Sequence, residues 1–324
     1  LTRFDLHTPL AVLQSYLETI GFLDGASERI LSMEKPGEGN MNVVLRVRTD
    51  HRSFILKQSR PYVQKYQQIE APLERIAVER EFYRAVQERS INDHLPEILT
   101  YAPGDYLLLM EDLGQVEDMT RIYHSRIIDP AALDKLLSIA SHIHNASPGV
   151  AYPSNIELRQ LNHQHIFVLP FREDNGFPLD DLQEGLQALS MPFKKDRVLK
   201  KEIDAIGKKY LTTGTVLIHG DYYPGSWMTV DGHVYVIDPE FSFMGFAEFD
   251  LGVMGAHCIM ASMQPSALQK VMDGYSHQAD GRLAGQVAGI EILRRLIGIA
   301  QLPLERTLEE KEYLLQIARK LILE

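Results

Sequence analysis

The stretch TVLIHGDYYPGSWMTVDGHVYVIDPE, residues 215–240, decides the reading of this chain. Apolar TVLI reads as a strand and GDYYPGS as a loop punctuated by glycine and proline. WMTV and HVYVI read as the arms of a hairpin turned at Asp231-Gly232. On both sides the texture is helical: ALDKLLSIASHIHNA, LDDLQEGLQAL and KEIDAIGKKYL precede it, and LAGQVAGIEILRRLIGIA and EEKEYLLQIARKLI follow. A lone strand, loop and hairpin inside a helical half sets Asp221 on a loop and Asp238 at a strand end, where folding can bring the two carboxylates together.

Upstream of Gly114 the pattern changes. ILSMEK, NVVLRVR and SFILKQ are short β-type runs separated by PGEGNMN and TDHR, and PEILTY and YLLLMED add two more around APGD. A helix from about Pro72 to Glu88 places Val78, Phe82, Ala85 and Val86 on one face, and residues 9–20 carry helical periodicity that stops at Gly21. These patterns predict an α+β chain. Residues 1–112 form a lobe with a five-stranded antiparallel sheet and a helix, residues 113–324 form a mainly helical lobe, and the boundary falls near Glu111 to Gly114.

The bulk numbers narrow the function. The chain has 324 residues, 45% hydrophobic and 24% charged, with a formal net charge of -11. That charge argues against nucleic acid or an anionic membrane as the main partner. An acidic protein that handles a polyanion needs a local site made of a metal, a few placed cations or backbone amides. Cys258 is the only cysteine, so neither an intrachain disulfide nor a cysteine-based zinc cluster can form, and a reducing, cytoplasmic setting is the simplest expectation. LTRFDLHTPLAVL does not read as a secretion signal, and no run approaches the roughly 18 apolar residues of a membrane helix.

Phosphoryl transfer needs a carboxylate beside the attacking hydroxyl and carboxylates that hold Mg²⁺ across the phosphates. HGDYYPGS at 219–226 followed by DPE at 238–240 supplies both kinds, with a glycine that permits a tight turn before the first acid. HGDxxxGS followed by IDPEF resembles the aminoglycoside-phosphotransferase-like kinases, which share the two-lobed protein-kinase-like fold. DPE in place of DFG, together with Ser226, narrows the likeness to the methylthioribose kinases. The resemblance implies an ATP-dependent kinase of a small-molecule hydroxyl, with Asp221 as catalytic base and Asp238 and Glu240 as Mg²⁺ ligands. Asp238 and Glu240, at alternate positions of an extended segment, should point the same way.

The first lobe agrees. PGEGNMN places a turn between two strands, suited to covering phosphates with backbone N–H groups; Gly37, Gly39, Asn40 and Asn42 belong to it. A GxG between strands is more often a plain hairpin turn, and a lysine ending a strand more often faces water. In the order turn, strand, strand with lysine, helix, Lys57 resembles the lysine that contacts ATP phosphates. Glu79 borders the apolar face of the following helix and is chosen to orient Lys57, with Glu81 as its rival. YLLLMEDLG resembles the hinge whose main chain binds adenine, flanked by Met110, Glu111 and Leu113. The ATP is expected between the lobes.

Arg294-Arg295 sits among Ile292, Leu293, Leu296 and Ile297, so one arginine at least is partly buried and needs a partner. Glu291 can pair with either at i+3 or i+4. Methylthioribose kinases carry a paired arginine in a comparable late helix, where it faces substrate and the transferred phosphoryl group, and that role is preferred here. The resemblance also gives Asp250 the task of bracing the catalytic loop and places His144 beneath it. LNHQHIF resembles a family segment without assigned chemistry.

Two departures bear on the acceptor. The family's tryptophan is missing from the region that reads KYQQIEAPLER, and the catalytic loop carries Tyr222-Tyr223-Pro224. These suggest a shifted acceptor pocket. The expected acceptor is a thiosugar or sugar such as methylthioribose; an aminoglycoside, a choline-like alcohol or a hydroxyamino acid is the alternative. A nucleotide-binding pseudokinase regulator is the reading from a different class, disfavoured because Lys57, Asp221, Asp238 and Glu240 are all kept. The family likeness also suggests a homodimer.

Overall fold

Alternation and helical phase account for most elements of the computed structural model, which describes residues 1–37, 41–87, 91–148 and 152–324. The chain divides into two units, Leu1–Val116 and Glu117–Glu324. The first opens with α1 (Leu10–Thr19), followed by β1 (Ile30–Glu34), β2 (Val43–Thr49) and β3 (Ser53–Gln58). A short hairpin, β4 (Tyr62–Val63) and β5 (Tyr66–Glu70), precedes α2 (Arg75–Ala85), and β6 (Ile98–Ala102) and β7 (Leu107–Glu111) complete the unit. The sheet runs β1-β2-β3-β7-β6 with every neighbouring pair antiparallel. That is the five-stranded antiparallel sheet expected.

Alternation sets its two faces. Leu45 and Val47 of β2, Phe54 and Leu56 of β3, and Leu107 and Leu109 of β7 share one core with Phe4 and with Leu13 and Leu17 of α1. Lys57, one residue out of phase with Leu56, projects to the opposite face. There α2 buries Ile76, Val78, Glu79, Phe82 and Tyr83. β5 of this hairpin falls in KYQQIE, where mostly polar residues give no buried face to read and the pattern predicts no strand.

The second unit starts with β8 (Glu117–Asp118), α3 (Ile122–Ser125), α4 (Pro130–Asn145) and α5 (Ile156–His163), the last running into a π-helical turn, Gln164–Val168. After α6 (Leu186–Lys195) and α7 (Arg197–Leu211) come β9 (Val216–Ile218), β10 (Trp227–Val230), β11 (His233–Val236) and β12 (Phe243–Gly245). α8 (Ala247–Ser262), α9 (Ser266–Gly274), α10 (Gly281–Ile297) and α11 (Leu308–Leu323) finish the chain. β10 pairs with both β11 and β8, and β9 pairs with β12. Asp231 and Gly232 take φ of 47° and 78°, the two left-handed residues of a type I′ turn, so the hairpin closes where expected.

The stretch LDDLQEGLQAL is not one helix. Leu179–Asp181 forms a single 3-10 turn, Gly185 breaks the chain at φ +85°, and α6 begins only at Leu186. α8 and α10 are buried over nearly their whole lengths and pack against each other at the centre of this unit. A Cβ on Gly252 of α8 would sit 2.5 Å from the Cβ of Val287, so glycine sets their close approach. Among the described residues, no helix is long and apolar enough to cross a membrane.

Candidate active site

In the first unit, strand alternation and helical phase meet at one ion pair. Lys57 Nζ lies 2.6 Å from Glu79 Oε2, with side chains 3% and 0% exposed. Glu81, its rival, pairs with Arg80 and Arg84 instead. Met41 and Asn42, just before β2, are tied down from α2: Arg75 donates to Asn42 Oδ1 (2.9 Å) and Met41 O (2.9 Å), and also to Arg60 O (2.8 Å). Asn42 is therefore buried and occupied by the protein, accepting also from Ser59 Oγ. Gly37 is exposed, and Gly39 and Asn40 lie outside the described residues. Met110 pairs with Ile55 and Ile98 in the sheet, Glu111 is exposed with its carboxylate accepting from Glu97 N, and Leu113 is half-buried just beyond β7.

Sequence reasoning misses Arg75, although a signal exists. A basic residue in the first turn of a helix opposes the helix dipole and needs some other reason to be there.

In the second unit, the catalytic-type loop is held by one buried carboxylate. Asp250, in the first turn of α8, accepts from His219 N (2.7 Å) and Gly220 N (2.9 Å), and its Oδ2 meets His144 Nε2 at 3.1 Å. His144 Nδ1 in turn meets the Tyr275 hydroxyl at 2.8 Å. Gly220 has φ +83°, and a Cβ there would lie 2.3 Å from Phe241 O. His219 bridges the loop to the residue that follows β11, its Nε2–H donating to Ile237 O, while its Nδ1 accepts from Asp221 N.

This frame presents Asp221, whose side chain is 24% exposed, to the paired arginines of α10. Arg294 Nη2 and Arg295 Nη2 stand 3.8 and 3.7 Å from Asp221 Oδ1. Both arginines also pair with Glu291, so the structural pairing that sequence offers is present, and the pairing does not turn the guanidinium groups away from Asp221. Burial pushes the Asp221 carboxyl up to about 6, with Glu291 and Glu240 acting in the same direction and the two guanidinium groups pulling against them. The result is a carboxylate poised to exchange a proton near neutrality.

Tyr222 and Tyr223 part company. Tyr222 is fully buried and donates to Leu136 O, so it fills the core. Tyr223 faces the site, its ring under the Arg295 guanidinium at 4.7 Å and 5.2 Å from the His257 ring. His165, on the π-helical turn that packs against α10, is kept neutral by burial and by the charge of Arg294. LNHQHIF carries no sequence signal for that placement, because a π turn, though often found at functional sites, has no signature in residue order.

The DPE segment corrects one expectation. Asp238 and Glu240 do not sit on an extended strand: β11 ends at Val236, Asp238 adopts φ +64°, and Pro239–Phe241 form a 3-10 turn. A left-handed aspartate is strained and is concentrated at functional sites. Glu240 is 4% exposed, and Asn155 fixes the turn by donating to Glu240 O (2.8 Å) and Ser242 O (3.2 Å). Among the described residues, no group of three or more His, Cys, Asp or Glu side chains is placed to hold a metal. Asp238 and Glu240 offer hard carboxylate oxygens, the donor type that Mg²⁺ takes.

The sequence model of the phosphotransferase enzyme family, APH, matches residues 32–285, most of the chain, including Lys57, Glu79, Asp221, Asp238, Glu240 and Asp250 but not Glu291, Arg294 and Arg295. The chain belongs to that family. Methylthioribose kinase 1 of Oryza sativa subsp. japonica is 27% identical over 80% of this APH chain and 61% of its own length, so the chain spans less than two thirds of that plant protein. Methylthioribose kinase of Geobacillus sp. (strain WCH70) is 26% identical over 91% of this chain and 86% of its own. Among solved structures, choline kinase LicA from Streptococcus pneumoniae superposes with a TM-score of 0.53 at 13% identity, covering 96% of this chain and 98% of its own. At that identity the likeness speaks for the fold, which is the protein-kinase-like one expected for the APH family.

Proposed function

We propose that the protein is an ATP-dependent kinase of a small-molecule hydroxyl, most simply that of a thiosugar or other sugar such as methylthioribose. The observation that carries this reading is the placement of Asp221, on a loop braced by Asp250, within 4 Å of both Arg294 and Arg295. The first unit would supply the nucleotide-holding groups: Lys57, oriented by Glu79, on the phosphates, and the main chain near Met110, Glu111 and Leu113 for adenine. The Mg²⁺ held by Asp238 and Glu240 would offset phosphate charge.

Asp221 accepts the proton of the acceptor hydroxyl as its oxygen bonds to the γ-phosphorus, and the bond to the bridging oxygen of the departing ADP breaks. Arg294 and Arg295 offset charge on the phosphoryl group in transit. Two guanidinium groups beside the base disfavour a cationic acceptor at the contact point, which favours a neutral sugar over choline-like or aminoglycoside alcohols. The likeness to the rice and Geobacillus proteins supports the same choice.

ADP release measured over a panel of thiosugars, sugars, aminoalcohols and aminoglycosides tests the reading. Sugar-dependent turnover is expected, and Asp221→Asn should lower kcat by about 10³-fold, within the range for a lost general base, while nucleotide still binds. Tight ATP binding without ADP release on any acceptor would leave a nucleotide-binding regulator instead.

A further inference from the structure

Glu291 lies three and four residues before Arg294 and Arg295, so one carboxylate on α10 reaches both guanidinium groups. It accepts from Arg294 Nε, from Arg294 Nη2 at 3.1 Å, from Arg295 Nε at 2.7 Å, and from His257 Nε2 at 3.0 Å. His257, fully buried on α8, is held neutral: burial pulls its imidazole down to about 4 against the pull of Glu291. With Nε2–H committed to Glu291, its Nδ1 accepts from the Tyr123 hydroxyl of α3 at 2.6 Å. Burial works to raise the Glu291 carboxyl, yet the two arginines and the His257 N–H hold it well below the usual carboxylate range.

Such a cluster is an expensive way to fill a core. Desolvating a carboxylate and two guanidinium groups costs several kcal/mol per ion, and well-packed apolar residues are often at least as stable. What the cluster gains is geometry. Glu291 grips Arg294 through Nε and Nη2 and Arg295 through Nε, and holds their Nη2 atoms at 3.8 and 3.7 Å from Asp221, beyond hydrogen-bonding distance. Without Glu291, the nearest counter-charge for either arginine is Asp221 itself.

We propose that Glu291, oriented by His257 and Tyr123, is a positioning residue that keeps Arg294 and Arg295 from closing onto Asp221 and so leaves the base free for the acceptor hydroxyl. This rests on the kinase reading above, which gives the arginines and Asp221 their tasks. The charged groups acting on Asp221 are Arg294, Arg295, Glu291 and Glu240, with Tyr223 and Tyr210 alongside and His165 facing Arg294. Losing Glu291 removes a negative neighbour and lets the cations approach, and both changes make Asp221 harder to protonate.

The full chain with ATP, Mg²⁺ and the acceptor found by the panel is compared with Glu291→Gln, Glu291→Asp and Tyr123→Phe. For Glu291→Gln, kcat should fall on the order of 10²-fold, the cost of a misplaced catalytic group. ATP affinity should stay within about threefold, and the acid limb of the pH profile should move to lower pH. Tyr123→Phe, which loses one hydrogen bond two steps from the arginines, should cost about fivefold. An unchanged kcat and an unmoved acid limb in Glu291→Gln overturn the proposal. Should that variant not fold, unchanged kcat in both Glu291→Asp and Tyr123→Phe does the same.

A readout independent of the acceptor is the ¹H–¹⁵N signals of the arginine Nε–H groups, assigned with Arg294→Lys and Arg295→Lys. Slow exchange of both in the wild type and its loss in Glu291→Gln are expected. Rapid exchange in the wild type overturns the clamp whatever the substrate. Slow exchange with no turnover on any acceptor strikes the kinase reading and not the clamp.

Discussion

The carboxyl of Asp221 is pulled in two directions: burial raises its proton affinity and the guanidinium groups lower it, the balance falling at about 6. A base is useful only when ionised, so kcat/KM should drop as pH falls through about 6, tenfold per unit below it, in a steady-state pH profile of the free enzyme. Removing an arginine takes away an attraction for the ionised form, so Arg295→Ala should move this limb upward in pH. Loss of Glu291 should move it down. Two shifts of opposite sign would be hard to obtain from a base elsewhere. The Lys57–Glu79 pair invites a different test, because both side chains are buried. Glu79→Gln leaves an ammonium buried without this counter-charge and should cost about 3–5 kcal/mol in denaturant unfolding. The double change Lys57→Met with Glu79→Leu should recover much of that stability while turnover stays lost, which separates the pair's structural cost from the nucleotide-holding role proposed for it.

The loop carrying Asp221 is a rigid element made from distant parts. Asp250 is the acceptor for two successive N–H groups, and Gly220 occupies a conformation and a space closed to other residues. Gly220→Ala must shift Phe241 O and strain a left-handed φ, and so should lower both stability and kcat. Asp250→Asn keeps the shape but gives up the charge-assisted acceptor; kcat should fall by more than tenfold with the melting temperature lowered only a few degrees, as read by calorimetry beside the ADP assay. What is legible in sequence follows from the range of each pattern. Helical phase around Glu79 is local, so residue order sets it beside the apolar face of its helix; by residue order alone Lys57 ends a strand and more often faces water, and the family resemblance turns it toward Glu79. The I′ hairpin at Asp231-Gly232, like the phase around Glu79, is legible because its signal is local. The strand phase carries past Val236 through DPE, where a left-handed Asp238 resets it, and the helical period over 179–189 passes through the break at Gly185. Tyr222 reads as part of the acceptor loop but points into the core, a direction no period reports. The Tyr123, His257 and Glu291 chain joins α3, α8 and α10, and only the packing of those helices reveals it.

At the scale of the whole molecule, charge acts over two ranges, and they favour different acceptors. A net charge of -11 draws cations from a distance and repels anions, an influence that fades beyond about 8 Å at physiological ionic strength. Within 4 Å of Asp221 stand two arginines, partly balanced by Glu291, and at close range they oppose the cation that Asp221 itself attracts. Long-range attraction raises the rate of encounter and contact interactions decide what is held, so the two contributions separate by salt. For a neutral sugar, kcat/KM for the acceptor should change little between low salt and about 0.15 M, since neither range of the field acts on it. For an aminoalcohol, kcat/KM should fall across the same interval as steering is screened, and it should stay below that of the sugar at the upper end. Measuring both acceptors at saturating ATP keeps nucleotide binding out of the comparison. A cationic acceptor that still leads at about 0.15 M salt would mean that carboxylates other than Asp221 meet its charge, and the preference for a neutral sugar would have to be given up while the roles of Asp221 and the arginines stood.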